Sequence, residues 1–438
     1  MKKSLLAVAA MTAFAGAAQA QSSVTVYGIL DVGYTGGQSQ SGATGAKTNV
    51  SRIGNSMESG SRIGFRGNED LGGGTSAQFV FELGLQPAGN AGSNPTGKDR
   101  AAGVSSSTTA GTYYGQGSAT WNPDVRQAYV GLAKAGLGNA RVGTQNTLFW
   151  EQAGANTAGQ LNQTVGQLLA PSSVGAYFDN GTTATSLTGA SSASYTSRTT
   201  NTVRVATDRM AGLVAKAAYT MSNQDTNQTA VAAGNVGYGG GNNNQSGYQL
   251  ALDYVIQKAN IQASYASFKS ENSYTMLPAQ ANNGGLTVTA DSQNPAAWGT
   301  GTQGQNVTDN QALITGSYDF GILKAYAGWT DRKATSVING NAFVKRSAQE
   351  IGVRSFITPT IEGWASVGNG RFSAFGVGQP TANIAGFQLG SNYWLSKRTN
   401  LYAIYGSVRT SSTTPSTLVT GGTAAGINQY SIGARHTF

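Results

Sequence analysis

Strict alternation of side-chain character runs along the chain from Val24 onward, and it limits the fold more than any single motif does. Ala77, Phe79, Phe81 and Leu83 alternate with Gln78, Val80, Glu82 and Gly84. The same period recurs in Tyr248–Val255, in Leu323–Thr330, and at the end, where Tyr430, Ile432, Ala434, His436 and Phe438 alternate with Ser431, Gly433, Arg435 and Thr437. A period of two sends alternate residues to opposite faces of a sheet. About sixteen such segments can be marked, from Val24–Tyr34, Ser61–Asn68 and Thr75–Leu85 through to Asn400–Arg409 and Gln429–Phe438.

The connections alternate too. Asp70–Gly74, Ala135–Gly138, Asp319–Gly321 and Ser396–Thr399 are tight turns, whereas Gly36–Gly60, Pro87–Pro123, Gln145–Ser197, Asn223–Gly247, Ser270–Asn310 and Thr410–Ile427 are long polar stretches. Short turns at one end and long loops at the other suit an antiparallel transmembrane β-barrel better than a β-sandwich.

Composition agrees. Charged residues make up only 11% of the 438, against about 25% in ordinary soluble domains. Beyond the leader there is no run of about 20 apolar residues that could span as a helix. Inside hydrocarbon every backbone polar group needs a partner within the protein, which leaves a closed barrel. Outward residues then meet lipid and inward residues meet water. Tyr34, Trp121, Trp150, Trp329, Trp364, Trp394, Tyr402 and Tyr430 together suit interfacial aromatic girdles. Sixteen strands enclose an aqueous bore, whereas eight fill their interior with side chains.

Residues 1–20 read as a secretory leader: basic Lys2 and Lys3, an apolar stretch from Leu5 to Ala18, and the small-x-small site Ala18-Gln19-Ala20. Its removal leaves residues 21–438 as one barrel domain and takes the formal net charge from +9 to +7. The chain has no cysteine and one histidine, His436, which lies in the apolar phase of the last segment. Thiol chemistry, disulfides and most zinc sites are excluded. Glu69-Asp70 beside three glycines lacks the Gly-Lys-Ser/Thr of a phosphate loop and reads as a hairpin turn. No Lys/Arg run exceeds two residues, so no nucleic-acid surface is expected. Neither an enzyme activity nor a cofactor or metal is expected.

Several blocks, in this order and spacing, carry a family resemblance. They are Ser23–Gly28 with Asp31, Ser61–Gly67 with Glu69–Gly74, Arg126 with Ala128–Leu132, Leu395–Tyr402, and Gly433–Phe438. The chain resembles the general porins of β-proteobacterial outer membranes, in the Gram-negative porin family, over essentially the whole mature sequence. That resemblance implies a 16-stranded, homotrimeric diffusion channel for small hydrophilic solutes and ions. Its third long loop, residues 145–197, would fold inward. It further implies an outer-membrane location, contact with lipid, lipopolysaccharide and the assembly machinery, and Phe438 as the C-terminal assembly signal. The family's basic constriction cluster falls on Arg62, Arg126 and Arg198, faced by the loop carboxylate Glu151, with Arg66, Arg204 and Asp179 as further lumen residues. Such a cluster makes a pore modestly anion-preferring.

Phase supports Arg62, which shares its side with Gly64 and Arg66, and Arg198, which shares its side with Thr200, Thr202 and Arg204. Arg126 falls on the side of Val130 and Leu132, so a bulge or a place before the strand is required. Thr144 departs from the family, where an arginine commonly follows Arg141-Val142-Gly143. Three alternatives stay open: arginines on a solvated rim, a barrel hydrolase built on carboxylates, and an adhesive surface protein.

Overall fold

A computed structural model describes residues 23–40, 45, 47–55, 57–85, 87, 125–169, 198–230, 238–271, 274–275, 307–336, 343–374, 381–411 and 426–438. The leader and Asp179 lie outside these residues. The described chain is sixteen antiparallel strands closed into a ring. They are β1 (Ser23–Gln40), β2 in two pieces (Lys47–Asn55 and Arg62–Gly72), β3 (Thr75–Gly84), β4 (Val125–Lys134) and β5 (Gly138–Asn146). A short helix, α1 (Leu148–Ala155), precedes β6 (Arg198–Thr207), β7 (Leu213–Ala230), β8 (Tyr238–Ile256), β9 (Ala259–Glu271) and β10 (Val307–Asp319). The rest are β11 (Lys324–Ser336), β12 (Phe343–Phe356), β13 (Ile361–Ala374), β14 (Thr381–Ser396), β15 (Thr399–Thr410) and β16 (Gly426–Thr437). Tyr274–Thr275 adds a two-residue piece against β8. Each strand pairs with the next, and β1 pairs with β16 from Ile29↔Thr437 to Gln40↔Gly426, which closes the ring.

Burial is inverted relative to a water-soluble protein. Leu250, Leu252, Ile314, Ile351, Val367 and Leu389 stand half exposed on the outer face. Thr202, Gln249, Gln262, Gln311, Gln388, Asn392, Asn400 and Ser431 are buried on the inner one. Exposing such apolar side chains to water costs roughly 1.5–3 kcal/mol each. A full belt of them would exceed the roughly 5–15 kcal/mol of a typical folded protein. In hydrocarbon that cost disappears, so the belt itself locates the membrane.

At the short-turn end, the β2–β3 turn needs glycine: Gly72, Gly73 and Gly74 take φ of +82°, +57° and +74°. The Asp70 carboxylate accepts from the Gly72 N–H at 2.9 Å. Phe438 seals the ring at the same end by exchanging hydrogen bonds with Gly28 (3.0 and 3.1 Å) and laying its ring where a Cβ at Gly28 would stand.

Several strands run further toward the loop end than the sequence expectation. The long stretch Gly36–Gly60 contains strand Lys47–Asn55, and β7 and β8 extend into Asn223–Gly247. Above the lipid a ladder needs only backbone hydrogen bonds, so polar Asn, Gln and Gly continue it without an apolar face. β2 is also broken. Below the break Ile29 pairs with Arg62, above it Val32 pairs with Asn55, and residues 57–61 lie between. The backbone groups released there must find other partners. The Asp31 carboxylate accepts from the N–H groups of Glu58 (2.8 Å) and Ser59 (2.6 Å) and from the Tyr402 hydroxyl (2.6 Å), and the Asp31 N–H donates to Ser61 Oγ at 3.0 Å.

Candidate functional site

The third loop is described from Thr147 to Leu169, and it lies against the inner wall. Thr147 caps α1, its hydroxyl accepting from Trp150 N–H at 3.1 Å. The helix follows the inner wall of β8–β10. Leu148 N–H donates to Gln249 Oε1 at 2.9 Å, Gln152 Nε2 to the carbonyls of Leu252 and Ala263, and Ser317 Oγ to Asn156 Oδ1 at 2.8 Å. Beyond it, Gln388 Nε2 donates to Asn162 Oδ1 and the Thr164 carbonyl, both at 3.0 Å, and Gln429 Oε1 accepts from Val165 N–H at 3.1 Å. Glu350 Oε2 accepts from Leu168 N–H at 2.5 Å. Leu168 fills an inward apolar patch of Ala348, Phe372, Ala382, Ile384 and Val408. At Gly406 a Cβ would collide with the Val165 carbonyl, so the wall approaches the loop there without a side chain. The loop thus narrows the bore from the β8–β16 side.

The facing wall, β2–β7, carries the cations. Glu82 on β3 accepts from Arg126 Nε at 2.8 Å and from the Tyr27 hydroxyl at 3.0 Å, and lies 3.7 Å from Arg62 Nε. Arg126 is the extra residue of a bulge: Glu82 pairs with Gln127 and Leu83 with Val125. That bulge resolves the phase conflict and turns Arg126 inward, beneath Gly60. Arg62 keeps 24% of its side chain open, so it is the member of the pair that solutes meet. Arg66 stacks over the Tyr27 ring (5.4 Å), and Arg141 over the Tyr129 ring (5.0 Å).

The partner expected for Glu151 is corrected. It does not face Arg62 and Arg126. Its carboxylate takes a two-pronged contact from Arg204 (2.6 and 2.8 Å) and lies 3.6 Å from Lys216. Burial pushes this carboxyl up. The Arg204 hydrogen bonds, with the charges of Arg204, Lys216 and Arg141, outweigh that and hold it below its ordinary value.

The phase expected for Arg198 is also corrected. Asn201 takes φ +51°, and the β5–β6 pairing slips between Gly143↔Thr202 and Gln145↔Thr199. One extra residue reverses the sides. Thr199 joins Thr202 and Arg204 inside, while Arg198, paired with Asn146, takes the opposite phase. The same slip leaves Thr144 in the bulged stretch.

Glu82 and Lys216 are inward residues that a search for family motifs passes over, and Arg141 enters it only through the pattern Arg141-Val142-Gly143, although each stands in the polar phase of its strand. Among the described side chains of β2–β7, six inward cations, Arg62, Arg66, Arg126, Arg141, Arg204 and Lys216, stand with two inward carboxylates, Glu82 from β3 and Glu151 from the loop; Arg62 and Arg126 lie against the first, Arg204 and Lys216 against the second. On the remaining wall the carboxylates are answered locally, Asp309 by Arg332 and Glu362 by Arg354. No cluster of three or more His, Cys, Asp or Glu suited to a metal occurs among the described residues.

Comparison with known proteins places this geometry. The family model described as Gram-negative porin matches residues 7–413. An outer membrane porin protein of Bordetella pertussis is 29% identical across 93% of this chain and 94% of its own length. Outer membrane porin protein 32 of Delftia acidovorans is 48% identical over 19% of this chain and 22% of its own. Among solved structures, the anion-selective porin from Comamonas acidovorans superposes with TM-score 0.55 at 20% identity, covering 95% of this chain and all of its own. The trimer form of OmpT, an outer membrane protein of Vibrio cholerae, gives 0.54 at 14% identity, covering 95% and 99%. The chain belongs to the Gram-negative porin family, and it is an outer-membrane porin whose water-filled barrel passes small hydrophilic solutes and ions by passive diffusion.

Proposed function

We propose that this porin prefers anions, and that the preference is set on the β2–β7 wall by Arg62, Arg126 and Arg141, together with Arg204 where that wall meets Glu151 of the third loop. The observation that carries it is the charge inventory of that wall, six inward cations to two carboxylates among the described side chains. A single uncompensated charge raises the local concentration of its counter-ion, and low-dielectric walls sharpen the effect. The name of the Comamonas neighbour, an anion-selective porin, points the same way. Reversal potentials in a KCl gradient test it. Anion preference should fall in Arg62→Ser and fall further with Arg204→Ser, and an unchanged potential in the double variant would place selectivity elsewhere.

The same reading makes the protein a passive channel without catalysis, exported by residues 1–20 and assembled as a homotrimer. Support for assembly comes from an outer groove of about 540 Å³ across β1–β5, lined by Val24, Gly67, Ala77, Phe79, Val130 and Ala140, which suits a second copy of the wall. The trimer form of the Vibrio neighbour adds to it. Cross-linking that yields only monomers in native membranes would overturn the trimer.

A further inference from the structure

We propose that a shelf on the lumen wall, built of Tyr27, Arg66, Val80, Tyr129 and Arg141 on the short-turn side of the narrow zone, binds small aromatic carboxylates. The inference rests on the anion preference proposed above and names the class of anion that this wall retains. In the inner phase Arg66 on β2 pairs with Val80 on β3, and Val80 pairs with Tyr129 on β4. Directly opposed residues on one face stand about 5 Å apart, so the row spans roughly 10 Å. At one end Arg66 lies over the Tyr27 ring (5.4 Å), and at the other Arg141 lies over the Tyr129 ring (5.0 Å).

The shelf is fixed before a solute arrives. A Cβ at Gly64 would collide with the Tyr27 ring, and one at Gly131 would stand 3.0 Å from Arg141 Cγ. These two glycines therefore leave room for the ring and for the arginine stem to lie along the wall. Both hydroxyls are tied down, that of Tyr27 donating to Glu82 Oε2 at 3.0 Å and that of Tyr129 accepting from Arg141 at 3.3 Å. Arg66 lies four residues along β2 from Arg62, toward the Gly72–Gly74 turn. That is about 13 Å along a strand, or about 10 Å of height at the usual tilt.

Charge and apolar surface set this shelf apart from the rest of the lumen. Arg354 over Trp364 has the Glu362 carboxylate, and Arg435 over Trp394 lies 3.5 Å from Glu58. Among the described residues, Arg66 and Arg141 are the two arginines stacked on lumen rings that enter no ion pair. On the opposite wall the third loop covers the inward apolar side chains: Leu168 packs on Phe372, Ile384 and Val408, and Phe149 and Ala153 pack on Leu313. Val80 joins neither cluster and stays half-buried, and Arg66 is exposed. An apolar floor between two unanswered guanidinium groups matches a solute with a flat apolar body and one negative charge. The ring stacks on a guanidinium face and covers Val80, while the carboxylate takes the planar donor edge of the other arginine.

The test compares benzoate with cyclohexanecarboxylate, which has the same charge and nearly the same size but no aromatic face. Each is titrated against the chloride current of the purified porin in planar bilayers at fixed ionic strength. Stacking on a guanidinium at a wet site is worth about two- to fivefold in affinity, so benzoate should halve the current at a concentration lower by that factor. The variant Arg66→Lys/Arg141→Lys keeps both charges and removes both planar faces, so the two carboxylates should act there at equal concentrations. Equal action of the two on wild-type protein that favours chloride over potassium would overturn the shelf and leave the anion preference standing, an arm that needs no variant. A benzoate advantage retained in the double variant would also overturn the shelf. Wild-type protein with no chloride preference in a KCl gradient would overturn the anion preference and the shelf together.

Discussion

Replacing Glu82 with glutamine isolates the electrostatics of the narrow zone, because one carboxylate serves both Arg126 and Arg62. Glutamine keeps the shape and leaves an oxygen for the Tyr27 hydroxyl, so the change is close to a removal of one negative charge. The local sum then rises from one excess cation to two. An ion passing roughly 6 Å away in a water-like dielectric feels about 0.7 kcal/mol from that extra charge. Anion occupancy should rise about threefold and cation occupancy fall by the same factor. The anion-to-cation permeability ratio should therefore rise by about three- to tenfold at low salt, and the gain should shrink near 1 M salt as screening shortens to about 3 Å. A second readout is stability. Arg126 is sealed, with 8% of its side chain exposed, and stripping the partner from a buried ion costs about 3–5 kcal/mol. The variant barrel should lose its heat resistance in detergent at a lower temperature than wild type. Reversal potentials at 0.1 M and 1 M salt decide the first point. A permeability ratio that stays level or moves toward cations would refute the placement of this cluster beside the ion path.

Other consequences follow from the loop and its anchors. Gly406→Ala puts a methyl group onto the Val165 carbonyl, so the third loop should lift from the wall and single-channel currents should become noisier, with larger open steps; quiet, unchanged currents would contradict the packing. Glu151 titrates below the ordinary carboxyl range, so its hold on Arg204 is complete above about pH 4.3 and is lost only as pH falls through the lowered value. Wild-type currents should stay quiet down past the ordinary carboxyl range, whereas Glu151→Gln should flicker at every pH; a wild-type transition at or above pH 4.3 would contradict the ion pair. Asp31→Ala removes the acceptor for two backbone N–H groups and the Tyr402 hydroxyl. Hydrogen exchange at Glu58 and Ser59 should then accelerate strongly, and unchanged protection would show that another group bridges the break in β2.

The architecture was legible because lipid and water impose opposite demands on alternate residues. Phe79, Phe81 and Phe438 announce one face, and Gln78, Glu82 and Arg435 the other. Arg62 and Arg66 could be placed by phase alone, whereas the conflict at Arg126 left open a bulge or a place before the strand, and it is a bulge that the structure has there. Arg198 could not be placed, because one residue in the left-handed region, Asn201, reverses every side chain N-terminal to it within the strand. No alternation records such a slip. The partner of Glu151 was equally hidden. Arg204 is 53 positions away, across a loop whose path depends on inner-wall sites such as Gln388, Glu350 and Gly406. Those contacts are set by ring closure, which a linear pattern does not carry.

The most direct measurement is single-channel recording in planar bilayers over a range of salt concentrations. A flooded bore predicts discrete steps whose size grows in near proportion to bulk salt, as ions cross while still hydrated. A bilayer that stays silent, or steps that level off at low salt as in a dehydrated filter, would contradict an open ring of sixteen strands.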